Sequence, residues 1–73
     1  MSYAVEQRLR LIDFLLQRYG HVGRAELEDY FGIGEATATR DFAMYLAKAP
    51  GNALLNNVSK RYVRAETFKR LFS

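Results

Sequence analysis

Two threonines and one arginine lie close together near the middle of the chain. The guanidinium group of Arg40 offers a fork of donors that matches the O6 and N7 acceptors of guanine. The hydroxyls of Thr37 and Thr39 could bond to a phosphate or a base, and their methyl groups could contact a thymine methyl. Each side chain also has a local alternative. Arg40 could pair with Asp41 or Glu35, and the threonines could bond to helix carbonyls.

The segment that carries these side chains, residues 34–48, is predicted to be a helix with one apolar face. The inward side consists of Ala38, Phe42, Tyr45, Leu46 and Ala49. The outward side consists of Ala36, Arg40, Ala43 and Ala47. A face of such small side chains can approach another surface closely, and a DNA major groove about 12 Å wide admits a helix. The alanines could also reflect only the high helix propensity of this residue.

A second predicted helix and a glycine turn precede that segment. Residues 24–31 form the helix, and Gly32-Ile33-Gly34 forms the turn. The inward face of this helix is predicted to contain Ala25, Leu27, Tyr30 and Phe31. Two short helices joined by a glycine-containing turn are typical of a helix-turn-helix. Such pairs also occur in domains that bind no nucleic acid, so a protein-interaction module remains open.

The first predicted helix, residues 4–19, has an unusually wide apolar surface. Its main stripe consists of Val5, Leu9, Ile12, Leu16 and Tyr19, and Leu11, Phe14 and Leu15 widen it. Two explanations are open: both flanks of the stripe are buried inside the domain, or part of the surface contacts a second subunit. We favour burial inside the domain. Gly20 is expected to end the helix, and His21 and Val22 form a short extended stretch. His21 has no cysteine or second histidine with which to share a metal.

Residues 53–64 are predicted to form a β-hairpin. Asn56 and Asn57 lie at its turn, since asparagine tolerates the positive φ that tight turns require. The second strand carries the cations Lys60, Arg61 and Arg64, interleaved with Tyr62 and Val63. Alternation places the two apolar side chains on opposite faces, so one of them should lie over the helices. Such a hairpin is typical of a wing that contacts phosphates beside a groove.

Residues 66–72 are predicted to form a short C-terminal helix or turn. It brings three large apolar side chains, Phe68, Leu71 and Phe72, to one end of the chain. These side chains dock on the domain or form a dimer seam.

Composition supports one small domain, residues 1–73. Half of the 73 residues are apolar, there is no cysteine, and no apolar run is long enough to span a membrane. Residues 1–41 carry five basic and seven acidic side chains, whereas residues 42–73 carry six basic and one acidic. The excess of +5 in the second part suits a phosphate-binding wing, although such a block can also be only a solvated face. No secretion signal is recognisable, so a cytoplasmic, nucleoid-associated protein is expected.

An enzyme is not expected. One histidine, no cysteine and no phosphate-cradling glycine loop provide neither a nucleophile with its base nor a cofactor site. We therefore expect neither a cofactor nor a metal.

The motif Thr37-x-Thr39-Arg40-Asp41-Phe42-x-x-Tyr45-Leu46 resembles the second helix of DeoR-type winged helices. The wider frame resembles the N-terminal winged-helix domain of bacterial WYL-domain transcription regulators, including those that control phage-defence islands. The matching positions are Val22, Arg24, Leu27, Phe31-Gly32-Ile33, Ala38, Asp41, Tyr45-Leu46, Ala49-Pro50-Gly51-Asn52, Lys60, Tyr62-Val63, Phe68 and Leu71-Phe72. The resemblance covers nearly the whole chain.

The resemblance implies a mainly α winged helix-turn-helix, with a three-helix core, a wing and a short C-terminal helix. It implies a sequence-specific domain that binds double-stranded DNA, most often as a homodimer on an inverted repeat and most often as a repressor. Base contacts would come from Thr37, Thr39 and Arg40. Backbone contacts would come from Arg24, Glu35, Ser59, Lys60 and Arg61, with the Glu35 carboxylate pointing away from phosphate.

Two features depart from the family pattern. Gly34 stands where a Ser or Thr cap is common, so a cap or phosphate contact there is not expected. The sensing and dimerising domains that follow in the family have no counterpart in these residues, so we expect an isolated domain or a short regulator. The dimer would form through helix 4–19 or segment 66–73.

Overall fold

The chain forms three helices and a three-stranded antiparallel sheet in the computed structural model, which describes residues 1–72. In chain order the elements are α1 (Tyr3–Tyr19), β1 (His21–Val22), α2 (Arg24–Phe31), α3 (Glu35–Lys48), β2 (Ala53–Asn56) and β3 (Arg61–Arg64). These bounds confirm the predicted winged helix-turn-helix. No helix in the described range is both long and apolar enough to cross a membrane.

Small residues set the ends of the helices. Ser2 caps α1 by accepting a hydrogen bond from the Val5 amide at 3.2 Å. Gly20 ends α1 and Gly32 ends α2, each in the left-handed region, with φ of 83° and 66°. Gly34 precedes α3 without a side-chain cap. A Cβ there would meet nothing within 4 Å, so crowding does not explain the glycine.

The hydrophobic core lies between the three helices and the inner face of the sheet. Its fully buried large side chains include Leu9, Ile12, Leu16, Val22, Leu27, Phe42 and Tyr45. Tyr62 of β3 stacks on Phe42 of α3, with ring centroids 4.2 Å apart and planes within 6°. Tyr62 thus lies over the helices while Val63 faces outward, as strand alternation predicted. This stack attaches the hairpin to α3.

The sheet has the strand order β1-β3-β2. The stretch of His21 and Val22, predicted only to be extended, is strand β1 of this sheet. It pairs with Val63 and Tyr62 of β3. The hairpin turn differs from expectation, because the positive φ of 62° belongs to Lys60 and not to an asparagine. Asn56 instead accepts hydrogen bonds through Oδ1 from the amides of Val58 and Ser59, at 2.9 and 3.0 Å. Its side chain therefore organises the turn together with its backbone carbonyl, which accepts from the Lys60 amide at 2.8 Å.

Two predicted inward positions of α2 are wrong. Ala25 is exposed, and Tyr30 is 74% exposed with its ring edge-on to Phe31 at 4.9 Å. A helix of eight residues turns only a narrow stripe toward the core, and Leu27 is its one buried residue.

The outer flank of α1 is also less buried than we expected from the sequence. Leu11 and Leu15 are half-buried and Phe14 is 47% exposed, and Tyr19 at the end of the main stripe is exposed too. Together with Tyr30, the two leucines line a groove between α1 and α2, with the acidic side chains of Glu26 and Asp29 beside it.

The short C-terminal helix is absent. Residues 66–72, which we call the C-terminal strap, form turns and irregular chain, and Ser73 lies outside the described residues. The reason is visible in the backbone amides. Those of Lys69, Leu71 and Phe72 donate to the side chains of Asn52 and Asp13 and not to carbonyls one helical turn earlier. Phe68, Leu71 and Phe72 are half-buried against the core, so they dock on their own domain.

A buried ion pair joins α1 to α3. Arg8 donates from Nε and Nη2 to the two carboxylate oxygens of Asp41, at 2.6 and 3.2 Å. The side chains are 13% and 3% exposed. Two parallel bonds fix the relative position of the helices more tightly than a single contact would. Asp41 thus orients a basic side chain, and this partner comes from another helix and is not the neighbouring Arg40.

We expect Arg8→Ala to lower the free energy of unfolding by about 3 kcal/mol, because it leaves the buried Asp41 carboxylate without its partner. Urea unfolding would measure the loss. The matched control is Glu6→Gln, which breaks the exposed i,i+4 pair with Arg10 but leaves the Arg10 guanidinium over the Phe72 ring. It should cost less than about 1 kcal/mol. Equal losses for the two variants would contradict a structural role of the Arg8–Asp41 pair.

Candidate nucleic-acid interface

The outward face of α3 is open to solvent. Ala36, Arg40, Ala43 and Ala47 are all exposed, and no other element covers them. Thr39 on the flank is exposed, whereas Thr37 is only partly accessible. Short side chains leave this surface low, so a partner can come within hydrogen-bonding distance of the helix. Of the side chains predicted to contact bases, Arg40 and Thr39 are therefore better placed than Thr37.

Arg40 forms no hydrogen bond or ion pair with any other side chain of residues 1–72. The two carboxylates that could have held it are engaged elsewhere. Asp41 pairs with Arg8, and the Glu35 carboxylate lies 3.7 Å from Nη2 of Arg24. The local alternatives considered for Arg40 are thus not realised. Its five N–H donors remain available to a ligand.

Arg24, at the start of α2, connects the two helices of the helix-turn-helix. Its Nη1 donates to the hydroxyl of Thr39 at 3.2 Å, while Nη2 faces Glu35. One guanidinium thus brings together two α3 residues of the predicted interface. Its contact with the exposed Glu35 is long, and such pairs contribute little in water. A phosphate could replace that carboxylate at small cost.

The wing places a second cation near Arg24. Lys60 is exposed, and with Arg24, Leu55 and Tyr62 it lines a hollow of about 290 Å³ between the hairpin and α2. Ser59 is also exposed, but its hydroxyl accepts a hydrogen bond from the Arg61 amide at 3.2 Å. A hollow lined by two cations is a site suited to an anionic group.

Arg61, by contrast, is engaged inside the domain. Its Nη2 bonds to Oε1 of Glu26 at 3.0 Å, and its Nε donates to Nδ1 of His21 at 3.1 Å. The same Glu26 oxygen accepts from the Gly23 amide. The guanidinium therefore anchors the wing to the beginning of α2.

Arg64 anchors the other end of the same strand. Its Nη1 donates to the carbonyl oxygens of Leu16 and Gln17, at 3.3 and 2.8 Å, where α1 ends. Of the three wing cations in the sequence, Lys60 is the one whose side chain makes no contact of this kind within residues 1–72. The sequence did not predict that Arg61 and Arg64 are engaged within the domain while Lys60 is not. A glutamate three residues after Gly23 is a helix-start signal, but nothing in the sequence pairs it with Arg61.

No group of three or more histidine, cysteine or carboxylate side chains within the described part of the chain could hold a metal ion.

Comparison with known proteins adds two findings. Residues 4–73 match the family model described as the BrxR transcriptional regulator winged helix-turn-helix domain. A protein from Pseudomonas aeruginosa, named DNA-binding transcriptional repressor CapW, is 34% identical over 67 residues. That match covers 92% of this chain but 22% of the relative, so the chain spans about a fifth of the relative's length.

If Arg61 anchors the wing, Arg61→Ala and Glu26→Gln should each lower the free energy of unfolding by up to about 1 kcal/mol, as expected for a partly exposed ion pair. The double variant should lose no more than the larger of the two single losses, because both remove the same interaction. Urea unfolding of the four proteins measures this coupling. Strictly additive losses would mean that the two side chains stabilise the domain independently.

Proposed function

Since the chain belongs to the BrxR transcriptional regulator winged helix-turn-helix domain family, we propose that it binds double-stranded DNA in a sequence-specific manner. Helix α3 enters the major groove, and the wing, residues 53–64, lies on the adjacent phosphates. The observation that carries the proposal is the open outward face of α3, on which Arg40 has no side-chain partner among residues 1–72. A structural arginine would be expected to have a carboxylate or carbonyl partner, as Arg8 and Arg64 have.

The predicted contacts take different roles in this proposal. Arg40 reads a guanine, and Thr39 and Thr37 contact neighbouring bases. Arg24 and Lys60 hold phosphates on either side of their shared hollow. Ser59 offers a hydroxyl to the same strand.

The other two predicted backbone contacts act indirectly. Glu35 holds Arg24 until phosphate displaces it. Arg61 positions the wing through Glu26, and makes at most a secondary phosphate contact.

We further propose that the domain works as part of a cytoplasmic, nucleoid-associated repressor in phage defence. The name of the Pseudomonas relative supports repression. Residues 1–73 would act as one domain, and two copies would bind an inverted repeat. Of the two predicted dimer surfaces, α1 is the better supported, because Phe14 and the groove beside Leu11 and Leu15 stay accessible. The strap is already docked on its own domain.

The runner-up function is a protein-interaction or dimerisation module that binds no DNA. In that case the accessible groove beside Leu11 and Leu15 would bind the partner protein or the second subunit. Salt dependence separates the two functions, since DNA binding weakens steeply as counterions return to the phosphates, whereas an apolar seam responds little.

Arg40→Ala should weaken binding to the best duplex selected from a random-sequence pool by about 1–3 kcal/mol. It should also relax the base preference at one position. Arg40→Lys is the matched control, because it keeps the charge but loses the planar fork, and it should restore affinity without restoring the preference. Fluorescence anisotropy and repeated selection measure both. An equal loss on all duplexes would reduce Arg40 to a phosphate contact.

Lys60→Gly should lower affinity evenly across sequences and reduce the salt slope by about 0.9, because one phosphate is no longer neutralised by the protein. Glycine suits this position because it adopts the φ of 62° without strain, so the turn persists and only the cation is removed. Arg18→Gln on α1 changes the net charge equally and should leave the slope unchanged. A changed sequence preference in Lys60→Gly, or identical slopes in both variants, would overturn the assignment.

A further inference from the structure

The most deeply buried carboxylate of the domain belongs to Asp13 of α1, which is fully shielded from solvent. Its Oδ1 accepts a hydrogen bond from the Tyr45 hydroxyl on α3. The Leu71 amide donates to both carboxylate oxygens at 3.0 Å, and the Phe72 amide donates to Oδ2 at 3.1 Å. The nearest cation, Arg70, has its Nε 3.9 Å away and is half exposed. Two backbone amides of the strap and one tyrosine therefore provide most of what stabilises this buried charge.

Asn52 attaches the strap at a second point and returns to the same tyrosine. Its amide group exchanges two hydrogen bonds with the backbone of Lys69: Nδ2 donates to the carbonyl at 2.7 Å, and Oδ1 accepts from the amide at 3.0 Å. The other proton of Nδ2 goes to the Tyr45 hydroxyl at 2.9 Å. These two attachments of the strap thus converge on one oxygen atom of α3.

Tyr45 is well suited to transmit a change in the strap. It is fully buried, and burial together with the hydrogen bond to Asp13 raises the pKa of its hydroxyl, which therefore stays protonated and keeps donating. Its position on the inward face of α3 is rigidly coupled to the outward face, because α3 is one uninterrupted helix from Glu35 to Lys48. A displacement of the tyrosine therefore displaces Arg40 as well.

We infer that the C-terminal strap is a positioning element for the groove-reading helix, acting through Asp13, Asn52 and the Tyr45 hydroxyl. When the strap is docked, α3 is held in the orientation that suits its target. When the strap is released, Asp13 loses two of its donors and its hold on Tyr45 changes, so α3 shifts and binds more weakly. This inference rests on the proposed DNA binding for its functional effect, but the movement of α3 does not.

The test uses a pair of variants at one position. Leu71→Pro removes the amide proton that bonds to Asp13, whereas Leu71→Ala trims the half-buried side chain and keeps that proton. Each is made in the wild-type chain and in Tyr45→Phe, which keeps the ring and loses the hydroxyl. The probe is the highest-affinity duplex selected from a random-sequence pool.

In the wild-type background, Leu71→Pro should bind this duplex on the order of tenfold more weakly than Leu71→Ala, a typical coupling between contacting residues. In the Tyr45→Phe background the two should bind alike, because the connection to α3 is already gone. The amide NMR signals of Arg40 and Ala43 in the free protein should shift in Leu71→Pro but not in Leu71→Ala.

Two results would overturn the inference. One is the same tenfold difference in both backgrounds, and the other is a lower melting temperature of Leu71→Pro without any shift of the α3 signals. Either would make the strap a stabilising segment only. If Leu71→Pro does not fold, the pair Phe72→Pro and Phe72→Ala repeats the comparison on the second amide. Shifted α3 signals in a protein that binds no duplex would leave this inference standing and remove the proposed function.

Discussion

The structure depends on the requirement that buried carboxylates have partners. A carboxylate removed from water is stable only when cations or hydrogen-bond donors replace its hydration. Among residues 1–72 this small domain buries two, Asp13 on α1 and Asp41 on α3. Each bonds to the other helix, Asp41 to Arg8 and Asp13 to Tyr45. Apolar packing brings α1 and α3 together, but these directional bonds determine how α3 is rotated and therefore which of its residues face outward.

Five of the eight arginines fall into two groups according to their partners. Arg8 and Arg61 pair with carboxylates and Arg64 donates to helix carbonyls, so these three belong to the architecture. Arg40 has no such partner in the described chain, and Arg24 has only a long contact with an exposed glutamate. A net charge counted over the second half of the chain therefore overstates what is available to a phosphate backbone. The structure shows which cations are exposed and which are paired, and so which of them remain available to phosphate.

Most of the architecture followed from local patterns. Spacing of apolar residues and the glycines at positions 20 and 32 placed the helices within a residue of their observed bounds. The open face of α3 followed from the same periodicity, and strand alternation placed Tyr62 and Val63 on opposite faces without saying which of the two lies over the helices. What could not be foreseen are contacts between residues far apart in sequence. The pairing of Arg61 with Glu26 spans 35 positions, and the strap amides reach Asp13 across 58 or more. No periodicity encodes such pairs, and the strap lost its expected helix because of them.

The stacked rings of Phe42 and Tyr62 have a consequence for selectivity. They join α3 to the wing face to face, so in the proposed complex the helix in the groove and the hairpin on the phosphates would move together. A duplex that meets both must therefore have a particular groove width over the intervening base pairs, or must deform to acquire it. Because the stiffness of DNA varies with its sequence, base pairs that no side chain touches would still contribute to the choice of site.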